Sequence, residues 1–432
     1  MTTSHPKTES TRYRYYVLGM LTIVYTFNFV DRQLIAILSP AIQEELGLSD
    51  TTLGLLKGFA FALLYSVLGI PIAWLADRWN RISIISIALA VWSGFTALSG
   101  LAANTVQLAI ARVGVGVGEA GCSPPAHSVI SDYFSKEERA SAISIYSLGI
   151  PFGQMFAFLA GGWVLENLGW RNAFFIVGIP GVLLAVLVKL TLREPMRGAQ
   201  ETDAPALDAK IDYRKGLKQL LSIPSYWGVI VGTTFASLTG YGTALWIVDF
   251  YRRTFELSYT EITVPLAFLN GVIYGVGTYM GGYLTDRFGK SNKAVYALFP
   301  GIAMAITIPF GWASVWAPTP VLSFSAAAFF LFCIGIYLGP SFALAQTLAP
   351  VRLRAFSTAF LFLVLNLVAL SLGPFWVGAL SDSFAGAVGE IRGLQYAMTT
   401  LAIFSLCSAA AYWWTSKRLP ADWQAANEED TP

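Results

Sequence analysis

Apolar residues run through this chain in stretches too long for the elements of a soluble domain. Runs of about 20 apolar residues, the length that crosses a bilayer core of about 30 Å, alternate with short charged segments. Twelve spans are predicted, at 15–38, 52–76, 82–103, 106–130, 140–165, 172–191, 226–250, 261–284, 293–313, 321–348, 355–380 and 394–416. The pattern predicts an all-α membrane protein. The first run is too long for a signal-peptide core, holds Asp31 and Arg32, and precedes no small-residue cleavage site, so it is expected to stay as a span. A polar stretch from Leu192 to Lys218 separates six spans from six. The expected organisation is an N-terminal tail (1–14), a six-helix bundle (15–191), a linker (192–225), a second bundle (226–416) and a C-terminal tail (417–432).

Composition agrees with the pattern. Of 432 residues 55% are hydrophobic and 12% charged, against about 25% charged in an average soluble domain. The net charge of +2 says little, but its distribution says more. Cytoplasmic loops retain Lys and Arg; here twenty cations fall on the face that holds both termini, and Arg171, Arg252, Arg253 and Arg392 on the other. Both termini are therefore expected in the cytoplasm, with a bacterial inner membrane the simplest location. Arg32, Lys57, Arg112 and Lys189 fall inside spans, and Lys189, near a span end, can snorkel. Cys122, Cys333 and Cys407 stand singly in apolar runs, and His127 is isolated beside a Pro-Pro pair, so no metal or cofactor is expected. Nucleic acid is not an expected partner, and the monomer is the expected functional unit.

The halves echo each other. LADRWNR (75–81) follows span two and LTDRFGK (284–290) follows span eight; ERASAISIYSLGIPFGQMFAFLAGGW (138–163) is echoed by LRAFSTAFLFLVLNLVALSLGPFWVGAL (353–380). Repeated six-span units suit alternating-access transporters, in which two similar bundles rock about a central site. Asp-Arg-x-x-Arg after span two resembles the loop motif of the major facilitator superfamily, and its second copy keeps both motif glycines, Gly282 and Gly289. Within that superfamily NFVDRQLIAILSPAIQEELGLSD (28–50), RVGVGVGEAGCSPPAHSVISDYF (112–134) and GWRNAFFIVGIPG (169–181) look like the Spinster group of lipid transporters. The resemblance implies two six-helix bundles related by a pseudo-two-fold axis, proton-coupled transport, and an amphiphilic lipid of the lysophospholipid or sphingosine-phosphate kind as partner.

The segment RVGVGVGEAG (112–121) contains a formal GxGxxG. A dinucleotide loop needs a strand before it and a helix start exposed to solvent, and neither is offered. Inside an apolar run the glycines instead let helices approach closely. Arg112 and Glu119, seven residues apart, share one helical face about 10 Å apart. An ionised side chain at bilayer depth costs at least about 2.5–3.5 kcal/mol, so each needs a partner or a wet cavity. Helical rise brings Asp31 to a depth similar to that of Arg112, which makes the two natural partners.

By resemblance Asp31 and Glu119 are assigned to proton coupling, and Arg112 to headgroup attraction and charge control. Arg32 and Lys57 add positive charge on the outer side, or Arg32 snorkels outward. Phe59, Phe61, Tyr65, Tyr241, Asn270, Tyr274, Tyr337 and Asn366 are candidate cavity walls, a lipid site needing one polar end and apolar sides. Asp77, Arg78, Arg81, Asp286, Arg287 and Lys290 form a candidate cytoplasmic gate of interdomain ion pairs, the alternative being a solvated loop. The GPxxGG antiporter pattern is altered in spacing, with Gly149, Pro151 and Gly153 before Gly161 and Gly162, which leaves symport and antiport open. A multidrug exporter of the same fold is the second reading. A lipid-sensing receptor or membrane enzyme is the third: no Ser-His-Asp set or HExxH motif is present, and the expectation is that the chain is not an enzyme.

Overall fold

The structure, a computed structural model, describes residues 10–76, 78–197, 213–350 and 353–429. All its regular elements there are helical. In chain order they are α1 (Thr11–Leu46), α2 (Asp50–Lys57), α3 (Phe59–Ala76), α4 (Arg81–Ser99), α5 (Thr105–Glu119), α6 (Ser123–Tyr133), α7 (Lys136–Ser147), α8 (Gly149–Thr191), α9 (Tyr213–Leu221) and α10 (Pro224–Phe255). Then follow α11 (Tyr259–Phe268), a π-helical segment (Leu269–Ile273), α12 (Tyr274–Gly289), α13 (Val295–Val315), α14 (Pro320–Ile336) and α15 (Leu338–Thr347). The last are α16 (Arg354–Val364), a second π segment (Leu365–Leu370), α17 (Ser371–Val388) and α18 (Glu390–Glu429).

Nine helical stretches among the described residues are long and apolar enough to cross a membrane. One of them, Ser141–Thr191, contains spans five and six. They are joined through Gly169, whose φ of 81° lies in the left-handed region that glycine enters without steric cost. The fourth and seventh predicted spans correspond to α5 with α6 and to α10.

Several spans are broken where the hydropathy is continuous. Predicted span four stops as α5 at Glu119, turns through Ala120–Cys122, and resumes as α6 with Pro124 and Pro125 in its first turn. Proline lacks the N–H that would close the preceding helical turn, so the helix restarts at the position where that donor is least needed. Span two breaks at Gly58, and spans eight and eleven each carry one of the π segments.

Packing divides the chain into two units, one formed by Met1–Leu34, Leu64–Ala157 and Arg171–Asp208, the other by Ile35–Leu63, Phe158–Trp170 and Ala209–Pro432. These do not coincide with the chain-order division at 192–225, part of which lies outside the described residues. The second unit includes the end of α1 and the turn after span five, because these pack against helices of the second half. Its core joins Tyr226, Val229, Met304, Phe330, Ile334, Leu344, Leu361 and Tyr412.

Of the residues expected as a C-terminal tail, 417–429 are helical. Helix α18 continues through Pro420 to Glu429. The Asp422 carboxylate accepts from the Ser225 backbone N–H at 2.8 Å, capping the start of α10, and Trp423 packs on Tyr296 with ring centroids 5.1 Å apart. Loss of such a cap costs about 0.5–2 kcal/mol, so this extension belongs to the folded second unit.

Candidate functional site: two crossed ion pairs in the first unit

Helix α5 lies close on α4. A methyl group at Gly118 would stand 2.5 Å from the Trp92 backbone nitrogen, so only glycine allows this separation. Roughly 100–120° around α5 from Gly118 stand Arg112 and Glu119, each 1% exposed. On α1, Asp31 and Arg32 are consecutive and project about 100° apart, so each finds a different partner.

Arg112 Nη1 lies 3.3 Å from Asp31 Oδ1, while the Thr96 hydroxyl of α4 donates to the other Asp31 oxygen. Arg32 does not snorkel outward. Its Nε donates to Glu119 Oε2 at 2.6 Å, and its guanidinium stacks 4.6 Å from the Tyr65 ring centroid and 5.2 Å from that of Phe29. The result is a set of two carboxylates and two guanidiniums, formally neutral. A buried charge left without its partner costs several kcal/mol, which explains why the four occur together.

Glu119 is the last residue of α5, so this carboxylate sits at a helix break. Discontinuous membrane helices are recurrent features of transporter sites, because they free polar groups at depth. Glu119 Oε1 is buried and makes no hydrogen bond. Asn28, one turn before Arg32 on α1 and 1% exposed, makes none through either amide atom. Asn28 was not among the candidates from sequence. An asparagine one turn from an Asp-Arg pair in a span is the signal that could have found it.

Lys57 is not a free positive charge. It is 2% exposed, its Nζ is 2.6 Å from Asp249 Oδ2 and 3.8 Å from the Trp246 ring centroid, all within the second unit. Ser39 donates to the same Asp249 oxygen at 2.9 Å. Beside them Arg253 holds both oxygens of Asp50, at 2.6 and 2.8 Å, and Ser381 donates to Asp50 at 2.6 Å. Asp249, Asp50 and Ser39 were missed. Asp249 stands at the end of a predicted span beside two arginines, where a carboxylate reads as a loop charge.

The wall candidates separate. Tyr65 belongs to the first unit, under Arg32. Phe59 is 44% exposed and Phe61 2%. Tyr337 is buried and hydrogen-bonded to Ser237 at 2.9 Å, and Tyr274 packs partly buried against the same core. Tyr241 is half-buried on α10. Asn270 and Asn366 lie in the two π segments, each donating to the carbonyl four residues back. π turns often mark functional positions.

Of the gate candidates Asp77 lies outside the described residues. Arg81 is 1% exposed and its partners lie in its own unit: Asp132 at 2.5 Å, Glu194 at 2.6 Å and Ser128 at 2.7 Å. Asp132 lies in the last turn of α6 and Glu194 follows α8, both beside the start of α4. Arg78 and Lys290 are exposed. Asp286 accepts from the Tyr296 hydroxyl and Arg287 donates to that of Tyr283, contacts inside the second unit.

Charges held at depth on broken, closely packed spans in a chain of echoing halves define an integral membrane transporter. The chain belongs to the Major Facilitator Superfamily, whose profile matches residues 21–374, a family of transporters and not of enzymes. It is 34% identical to an MFS-type efflux pump of Mycolicibacterium smegmatis over 97% of this chain and 96% of that protein. It is 27% identical to protein spinster homolog 1 of Homo sapiens, over 94% of this chain and 81% of that one. The crystal structure of a bacterial homolog of the human lysosomal transporter Spinster, in an inward-facing and unoccupied conformation, superposes with a TM-score of 0.90 at 32% identity, covering 96% of this chain and 99% of that one.

Proposed function

We propose that the protein moves an amphiphilic lipid, of the lysophospholipid or sphingosine-phosphate kind, by alternating access coupled to protons, in a bacterial inner membrane with both termini cytoplasmic. The crossed set Asp31–Arg112 and Arg32–Glu119 carries the reading. In a buried, weakly screened site each added charge is felt by the others: a unit charge at about 4 Å is worth about 4 kcal/mol at an effective dielectric of about 20. Protonating Asp31 or Glu119 releases an arginine from its carboxylate. A phosphate then takes that guanidinium, which forks two donors toward it. The unpartnered Asn28 amide and Glu119 Oε1 offer further polar contacts at the same place. The similarity to Spinster proteins supports a lipid; the two arginines support an anionic or zwitterionic headgroup.

A second reading is a multidrug exporter of the same fold that moves a drug-like cation; the 34% identity to an efflux pump supports export. The test is movement of a fluorescent lysophospholipid in proteoliposomes, with and without an inward proton gradient, for wild type, Glu119→Gln and Arg112→Ala, with a fluorescent cation in parallel. Gradient-dependent lipid movement lost in both variants is expected. Movement of the cation alone replaces the lipid reading by the efflux reading, and unchanged coupling in Glu119→Gln removes that carboxylate from the proton path.

A further inference from the structure

Two helices of the second unit begin with the same four-residue pattern. Leu48-Ser49-Asp50-Thr51 starts α2 and Leu257-Ser258-Tyr259-Thr260 starts α11, and their separation equals that between the LADR and LTDR copies that follow spans two and eight. Ser49 and Ser258 are the N-caps. In each helix the amide of the third residue after Ser bonds back to the Ser hydroxyl, while the Thr amide before it needs an acceptor from elsewhere.

That acceptor comes from the other half of the chain in both cases. Asp382 of α17 accepts from the Thr51 N–H at 2.8 Å, the Thr51 hydroxyl at 2.5 Å and the Asp50 N–H at 3.1 Å. Glu166 of α8 accepts from the Thr260 N–H at 3.0 Å and the Thr260 hydroxyl at 2.5 Å. The two donors of carboxylate correspond as well. Each follows a glycine by four residues, Gly162 before Glu166 and Gly378 before Asp382. A methyl group at Gly162 would meet the Tyr259 carbonyl at 3.0 Å, and one at Gly378 would overlap the Asp50 carbonyl, the same position in the opposite helix. Each pair thus combines a closely apposed glycine, a carboxylate at a positively polarised helix start and a threonine hydroxyl.

We infer that Glu166 and Asp382 are reciprocal latches: each half of the chain caps a helix of the other, at the end of α1 remote from the N-terminus, and both caps must part when that end opens. This rests on the alternating-access reading above and names its positioning residues at the starts of α2 and α11. Both carboxylates are exposed, so water replaces the lost bonds on opening and the latches are reversible. The α2 side is held further by Arg253–Asp50 and Lys57–Asp249, whereas Glu166 acts at the start of α11 with the helix's own capping box. The α11 side is therefore the weaker of the two.

Loss of one helix cap shifts an equilibrium roughly 2- to 30-fold. The test uses the full-length protein without solute, with Cys122, Cys333 and Cys407 replaced by Ala and spin labels at the exposed positions Leu168→Cys and Val264→Cys. Double electron–electron resonance reads the fraction in which the two labels have separated. Glu166→Ala combined with Asp382→Ala, which removes the accepting oxygens that an amide would keep, is expected to raise that fraction about tenfold, and either alone by less. Thr51→Val with Thr260→Val removes only the two hydroxyls and is expected to move it in the same direction by a smaller factor. An unchanged fraction in whichever double variant folds overturns the inference, as does a fall in Tm without a change in the distances. Because the readout needs no solute or proton gradient, a failure of lipid or proton transport leaves it intact.

Discussion

Arg32 meets Glu119 at 2.6 Å and not Asp31, the residue beside it, which is 3.3 Å from Arg112. The crossing follows from helix geometry: neighbours on α1 diverge by about 100°, while residues seven apart on α5 return to one face. Two charges from each helix therefore form two separate pairs, and neither carboxylate is shared.

That arrangement predicts a strong coupling. Removing one partner of a buried pair costs about 3–5 kcal/mol, whereas removing both with neutral residues of similar size costs much less. Arg32→Gln alone is expected to lower Tm markedly, and Arg32→Gln with Glu119→Gln to recover most of the loss, in thermal unfolding of the purified protein in detergent. A double variant as unstable as the sum of its singles would show that the pair contributes nothing as a pair.

Asp31, Arg112 and Glu119 were legible in the sequence because charge at membrane depth is rare and demands a partner. The pairing of Arg32 was not, since hydropathy does not say which way a span faces. Likewise Asp249 looks like a loop charge until Lys57 is found against it. The break after Glu119 is written in Pro124 and Pro125, but the apolar run continues across it, and hydropathy does not register a missing donor. The π segments at Asn270 and Asn366 have no sequence pattern of their own. The Leu-Ser-x-Thr echo is short, and gains its meaning only from carboxylates more than 90 residues away that the fold brings to it.

Gly118 tests whether the position of α5 matters to the site. Gly118→Ala pushes a methyl group into the Trp92 backbone, and accommodating it displaces the face that carries Arg112 and Glu119. Overpacking of this kind costs about 1–3 kcal/mol. A lower Tm and a transport rate reduced at least tenfold are expected, since misplacement by about 1 Å can cost about 100-fold in a positioned site. Gly19→Ala on α1, where a methyl group meets nothing within 4 Å, is the control. It replaces a poor helix former and is expected to leave transport unchanged while adding about 0.5–1 kcal/mol. Equal effects of the two substitutions would mean that helix propensity, and not the approach of α5 to α4, sets the outcome.

Arg81 separates a gate from a structural clamp. Its guanidinium bonds Asp132, Glu194 and Ser128, and Glu194 also accepts from the Ile82 N–H at 3.1 Å, so the group ties the start of α4 to α6 and to the segment after α8. All of these lie in the first unit. Hydrogen bonds to charged groups contribute about 1.5–3 kcal/mol each when well made, and Asp132 and Glu194 are 12% and 22% exposed, so part of that is returned by water when Arg81 is lost. Arg81→Gln is therefore expected to lower stability by about 2–3 kcal/mol. It should leave unchanged the separation of labels at Leu168→Cys and Val264→Cys, because no bond of Arg81 crosses to the helices that carry the latches. A clamp gives this split between Tm and distance. If Arg81→Gln shifts the label distances while leaving Tm where it was, Arg81 acts in the opening equilibrium, and the Asp-Arg loop is a gate partner to the Glu166 and Asp382 caps.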